Sequence, residues 1–263
     1  GFTIGLTDMD MSPVTGGKFS QIDMGANIGC GIDLQGAPYC WGSNFYGSIG
    51  DGTTDNRYLA TPVDLSGIAG SRVFVSIGAG SFHSCGMTDD NKIYCWGYSG
   101  GGALGDGLGT TSGTPVAADL SGIPEPIDQL FVGVQHTCVL TTSGTGYCWG
   151  RNVDGELGVG NNSGQNLPVA IDTSSMVGST KFKNLHLGQY VSCGLSTDNK
   201  VYCWGRGGGD ARNGQGGGGS NNLPQLIDMT NIVGPKEFKD VAVGEAHGCV
   251  VQITGDVYCW GYN

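Results

Sequence analysis

Basic residues are scarce in this chain: 12 Lys and Arg stand against 23 Asp and Glu, a formal net charge of −11. No basic stripe is present, so the electrostatic footprint of a nucleic-acid binder is missing and nucleic acid is not an expected partner. Acidity of this size bears on solubility, not on fold. Long apolar runs are missing as well. Nothing approaches the roughly 18–20 residues that span a bilayer as a helix, so no membrane insertion is expected. The start, Gly1-Phe2-Thr3-Ile4-Gly5, carries neither the basic segment nor the apolar stretch of a signal peptide, which a secreted protein would have shed. No ten-residue window shows a helical stripe. No two cysteines are spaced as CxxC, which excludes the common zinc and thioredoxin motifs.

What the chain has is a repeat. Cys-Trp-Gly occurs five times, starting at Cys40, Cys95, Cys148, Cys203 and Cys259, and it holds all five tryptophans. Ten residues before each of these stands another cysteine (Cys30, Cys85, Cys138, Cys193, Cys249), which accounts for all ten. Five residues earlier again is a glycine: Gly25, Gly80, Gly133, Gly188 or Gly244. Successive first cysteines lie 53 to 56 residues apart. A repeat of this length that uses every Cys and Trp outweighs local propensity in setting the architecture. Many of the 51 glycines recur at fixed repeat positions, so they serve turns and close packing. Uniform composition predicts a single domain over residues 1–263.

Folding each C-x9-C segment back on itself places Cys30 opposite Cys40, with the turn at Leu34-Gln35-Gly36. The other turns fall at Asp89-Asp90-Asn91, Thr142-Ser143-Gly144, Thr197-Asp198-Asn199 and Ile253-Thr254-Gly255, all rich in turn formers. Directly opposed cysteines in an antiparallel pair are within disulfide reach. The expected bonds are Cys30–Cys40, Cys85–Cys95, Cys138–Cys148, Cys193–Cys203 and Cys249–Cys259. Each closes a short loop and stabilises by about 2–3 kcal/mol. Five of them predict an oxidising compartment: cell exterior, periplasm or secretory lumen.

Each repeat reads as four short strands. In the second they are Val73–Ile77, Ser84–Met87, Lys92–Trp96 and a fourth beginning at Pro115-Val116, after a Gly-rich loop from Gly97 to Thr114. Pro62-Val63, Pro168-Val169 and Pro224-Gln225 mark the fourth strand elsewhere. Short strands in units of about fifty residues predict an all-β propeller. Five four-stranded blades are expected, one disulfide hairpin in each, with repeats starting near residues 19, 74, 127, 182 and 238.

The residues Gly80-x-x-His83-x-Cys85, Tyr94-Cys95-Trp96-Gly97 and Trp41-Gly42-Ser43-Asn44 followed by Ile49-Gly50-Asp51-Gly52-Thr53-Thr54 carry a resemblance. Together with Gly133-x-x-His136-x-Cys138 and Gly244-x-x-His247-x-Cys249, they resemble the regulator of chromosome condensation repeat family, in its cysteine-bearing extracellular variant. The resemblance covers nearly the whole chain and implies a propeller of four-stranded blades. The best-known members have seven blades, whereas this chain has five repeats. Repeat four replaces the Gly-Asp-Gly-Thr loop with a glycine tract from Gly207 to Gly219 around Asp210 and Arg212.

No nucleophile, base and oxyanion donor come together in the sequence, so no catalytic residues, cofactor or metal site are expected. His83, His136 and His247 occupy one repeat position beside paired cysteines and read as structural. The tryptophans read as blade core. Asp51 and Asp55 fit no calcium-loop spacing and read as turn caps. Asn161-Asn162-Ser163 is the one glycosylation sequon, in the long loop of repeat three.

What remains is an extracellular structural or assembly module, a surface or fibre subunit. The alternative is a secreted protein-binding propeller, inhibitor- or adhesin-like, acting through its loop face. Phe45, Tyr46, Arg57, Tyr58 and Arg151 are the candidate contacts, with Tyr98 adding little. The partner is therefore another copy of the chain or another extracellular protein. Residues 1–18 are expected to supply a closing strand, with Pro13-Val14 in the place of Pro62-Val63, pairing near Tyr258–Gly261. Closure within one chain, closure between chains and excision from a longer array are the three ways to satisfy that phase.

Overall fold

A computed structural model of the chain describes residues 11–207, 212–215 and 219–262. Residues 1–10 of the expected closing segment, and Asp210 with most of the glycine tract, lie outside the described residues. Blade 1 runs Phe19–Met24, Ile28–Asp33, Pro38–Gly42 and Arg57–Pro62. Blade 2 runs Phe74–Ala79, His83–Thr88, Ile93–Gly97 and Ser112–Ala117. Blade 3 runs Ile127–Val132, His136–Thr141, Gly146–Gly150 and Gln165–Ala170. Blade 4 runs Phe182–Leu187, Val191–Ser196, Val201–Gly205 and Asn221–Leu226, and blade 5 runs Phe238–Val243, His247–Gln252 and Val257–Gly261. Each blade is an antiparallel meander in chain order, four-stranded in blades 1 to 4 and three-stranded in blade 5 among the described residues. The first strands pack side by side along the chain and line the axis of an all-β propeller.

The hairpin at the centre of each blade follows from local chemistry. Asn91 and Asn199 adopt left-handed backbone at φ 61° and 64°, and glycine takes the same turn position in the other three blades. Gly and Asn are the residues that enter this region most readily. The resulting turn sets the register, so Cys30 faces Cys40 and Cys85 faces Cys95, as in the other three hairpins. Disulfides join all five pairs across Cα separations of 4.0 to 4.1 Å.

Blades are locked to one another by a shared carbonyl. Ser48 O in the long loop of blade 1 accepts Trp96 Nε1–H at 2.9 Å and Ser84 Oγ–H at 3.1 Å from blade 2. Ala103 O accepts Trp149 Nε1–H and Thr137 Oγ1–H at 3.0 and 3.3 Å, and Glu156 O accepts Trp204 Nε1–H and Ser192 Oγ–H at 2.9 and 2.7 Å. A hydroxyl that donates to a carbonyl is left as an acceptor. His83 Nε2 therefore donates to Thr137 Oγ1, and His136 Nε2 donates to Ser192 Oγ, both at 2.9 Å. Blade 5 has Gly248 at the hydroxyl position, and blade 4 presents Val191 to it in place of a histidine. Around these locks lie buried apolar clusters that join blades 1–2, 2–3, 3–4 and 4–5.

Among the described residues no such cluster joins blade 5 to blade 1. Among the described residues nothing covers the far face of blade 5: His247 and Cys259 are exposed, and Val257 is 60% exposed. Its disulfide differs accordingly from the other four, whose cysteines are all 0% exposed beneath the next blade. Mild reductant under native conditions is expected to open Cys249–Cys259 first. Differential alkylation and mass spectrometry check this, and simultaneous labelling of all ten cysteines would contradict it.

Within the expected closing segment, the place of Pro13-Val14 differs from the expectation. Val14 is 4% exposed in a cluster with Tyr39 and Ala60, and Met11, Phe19 and Trp41 pack around it, all at blade 1. Val14 N–H donates to Met11 O just as Ile68, Ile123, Met176 and Ile232 donate to the residue three before them. Thr15 N–H bonds the Tyr39 hydroxyl at 3.3 Å, in the place where the Tyr94 hydroxyl donates to Ala69 O. Pro13-Val14 is thus the connector that leads into a first strand, not the counterpart of Pro62-Val63. A Pro-Val pair in a turn mimicked the strand-four signal. Residues 1–10 of the expected closing segment lie outside the described residues.

Candidate functional site

The end of the propeller that carries the Cys-Trp-Gly exits is built by one device used five times. The glycine takes φ between 99° and 120° in every copy, a region closed to side chains. A Cβ there would also strike the carbonyl of the residue just before the second strand, 2.6 Å away for Gly97 and 2.3 Å for Gly205. The next residue then donates its N–H to that same carbonyl: Tyr98 to Phe82, Arg151 to Gln135 and Arg206 to Tyr190, at 2.8, 3.0 and 2.7 Å. Each blade therefore raises two side chains together on one end.

In blades 2 to 4 those pairs are Phe82 with Tyr98, Gln135 with Arg151, and Tyr190 with Arg206. They join across blades into a ridge. Tyr46, in the long loop of blade 1, lies 4.6 Å from the Tyr98 ring and 5.8 Å from Phe82, and Phe45 meets Tyr46 edge-on at 4.9 Å. Phe45 is 74% exposed, while Tyr46, Phe82 and Tyr98 are half-buried. Further along, the Arg151 guanidinium lies 4.9 Å from the Tyr190 ring centre and that of Arg206 lies 5.1 Å from it. Between the aromatic and arginine halves is a cavity of about 260 Å³ lined by Tyr98, Gln135, Arg151, Asn152, Val153 and the Gly100–Gly101 backbone. It is smaller than the roughly 300 Å³ at which small-molecule pockets begin, so it suits one side chain.

The two arginines differ electrostatically. Arg151 pairs with Asp154 at 2.9 Å and with the buried Glu156. Burial pushes the Glu156 carboxyl up, its own backbone N–H and Arg151 pull it back, and the net shift is upward. Arg206 is exposed and, among the described residues, pairs with no carboxylate.

Sequence reasoning placed Phe45, Tyr46 and Arg151 on a loop face, and these three share the ridge. Arg57 and Tyr58 do not join them, because they start the outer strand of blade 1. Arg57 pairs with Asp51 at 2.5 Å, and Tyr58 is 90% exposed on the rim. Burial raises the Asp51 carboxyl, but hydrogen bonds from Thr53 and Arg57 outweigh it and hold Asp51 below its usual range. Asp55 donates its N–H to Thr53 Oγ1. Asn161 is exposed, and its Oδ1 accepts Ser163 N–H at 2.9 Å. Phe82, Tyr190 and Arg206 are not among the sequence candidates, and Tyr98 counts for more than the sequence suggests. The signal was available in the two repeat positions that flank each hairpin, one before the His/Val/Ile site and one after Cys-Trp-Gly.

A profile described as the regulator of chromosome condensation (RCC1) repeat matches residues 35–87 and 143–195, and a second of the same description matches 74–102, 127–156 and 238–263. The human E3 ubiquitin-protein ligase HERC2 is 29% identical over 236 residues, covering 88% of this chain and 5% of the ligase. The ultraviolet-B receptor UVR8 of Arabidopsis thaliana is 30% identical over 256 residues, covering 97% of this chain and 56% of the receptor. The crystal structure of human WBSCR16 superposes with a TM-score of 0.78 at 21% identity, covering 94% of this chain and 62% of that one. This chain thus spans less than two thirds of each of these relatives. Repeat, blade architecture and profile agree, and the chain belongs to the regulator of chromosome condensation repeat family.

Proposed function

We propose that this chain is a protein-interaction propeller that works outside the cell, without a catalytic step of its own, and binds through the loop-end ridge. The observation that supports this most is the ridge itself. Phe45, Tyr46, Phe82, Tyr98, Arg151, Tyr190 and Arg206 are gathered on one end of a protein with few charges and many glycines. Tyr and Arg in partly desolvated, mutually packed positions are the residue types that dominate binding energy at interfaces. Five disulfides support an oxidising location, since cytosolic thiols are kept reduced. The activities of the ligase and the receptor are theirs, and this chain spans a fraction of each.

A photo-crosslinking residue placed at Tyr98 is expected to capture a partner in material from the native source, while one at Tyr58 on the rim captures none. Against that purified partner, Tyr98→Ala combined with Arg206→Ala is expected to weaken binding at least tenfold, which is about 1.4 kcal/mol. Capture at position 58 with none at 98 would move the interface off the ridge.

A structural or assembly module that packs head to tail on its own copies is the second reading. The open face of blade 5, with His247, Val257 and Cys259 exposed, favours it.

A further inference from the structure

Resting on the ridge as the binding face, we infer that the partner presents an extended acidic segment: an apolar side chain for the aromatic half and a carboxylate for Arg206. The ridge offers three different surfaces in sequence. Phe45, Tyr46, Phe82 and Tyr98 form an apolar shelf at one end. A one-side-chain cavity bounded by Tyr98 and Arg151 comes next. The Tyr190 ring with a guanidinium on it from each of Arg151 and Arg206 closes the run. Features strung along an arc over several blades suit a chain laid across them better than a compact knob.

The charge requirement comes from what is already neutralised. Asp154 and Glu156 satisfy Arg151, so its charge is spent inside the protein. Among the described residues Arg206 has no such partner, in a protein whose formal net charge is −11. Stacking on Tyr190 restricts the guanidinium plane while leaving its N–H donors for a planar two-oxygen acceptor. A carboxylate fits that fork. A basic partner would be favoured by the overall charge, but it would meet the one exposed cation of the ridge, so the local and the global fields select different chemistry.

Phage-displayed random dodecapeptides, panned on the intact oxidised protein, test this. Arg206→Glu and Tyr98→Ala variants serve as parallel targets, each checked for its five disulfides and its thermal transition. Peptides enriched in Asp or Glu together with an aromatic or large aliphatic residue are expected. Their affinity should fall at least tenfold on Arg206→Glu and weaken as salt is raised. Peptides that need Tyr98 but lack carboxylates, or bind Arg206→Glu equally well, would overturn the acidic chemistry and leave the ridge reading standing. Peptides indifferent to Tyr98 and Arg206 alike, or no enrichment at all, would overturn both. Acidic glycans that bind when no acidic peptide does would replace the protein partner with a carbohydrate.

Discussion

Lowering the pH from 7 to 4 is expected to remove several kcal/mol of stability through two buried histidines. His83 and His136 are both 0% exposed. Burial pulls His83 down to about 4, against a smaller upward pull from the Val134 backbone. Burial also pulls His136 down to about 3, with the neighbouring His83 and Arg151 charges adding to it. The folded pKa is below the unfolded value of about 6.5 in each case. Below that value the unfolded chain takes up protons that the folded protein refuses. Stability is therefore whole above about pH 6.5 and declines toward the folded pKa, at roughly 1.4 kcal/mol per pH unit and per histidine. By pH 4 this comes to about 3 kcal/mol for each ring. Denaturant midpoints at pH 7, 5.5 and 4 measure it. Blades 1 and 4 have Ile28 and Val191 at the same position, so His83→Val with His136→Val is a substitution the fold already tolerates. The double variant should lose most of the slope between pH 6.5 and 4, and an unchanged slope would falsify the assignment. Asp90, held at about 2 by Thr88 and Lys92, titrates below this window.

Adding one methyl group at a single repeat position should give opposite results in different blades. A Cβ on Gly80 would lie 2.4 Å from Gly133 O, and one on Gly188 would lie 2.2 Å from Gly244 O. Both carbonyls belong to the backbone of the next blade, which cannot rotate aside. Gly80→Ala and Gly188→Ala are expected to cost about 1–3 kcal/mol each as overpacking strain. A Cβ on Gly244 would meet nothing nearer than His247 O at 4.0 Å. Gly244→Ala should therefore stay within about 0.5 kcal/mol of the parent, as open surface positions do. Equilibrium unfolding of the three variants decides it. A Gly244→Ala as damaging as Gly188→Ala would mean that something covers the far face of blade 5.

Much of the fold was legible in the chain because its signals are local. The two cysteines of each hairpin lie ten positions apart, and a Gly or Asn at one fixed turn position sets the register. That fixes Cys30 against Cys40 before any neighbour arrives. Five such hairpins with a common period determine the number of blades, and a tryptophan beside each cysteine marks the core. Trp96, Trp149 and Trp204 are buried completely, each held by a carbonyl of the blade before it.

Contacts between residues some fifty positions apart were not legible. The sequence holds His83 and Thr137 without saying that they meet, since their approach depends on how far one blade turns relative to the next. For the same reason Tyr98 looked incidental, although Tyr46 reaches it from another blade. Pro13-Val14 matched a strand by composition, and only packing against Tyr39 and Ala60 showed it to be a connector. Hairpin chemistry thus belongs to the sequence, where a few bonds of chain connect cause and effect. The ridge, the histidine locks and the open face of blade 5 belong to the tertiary structure, where the spacing between blades decides which side chains touch.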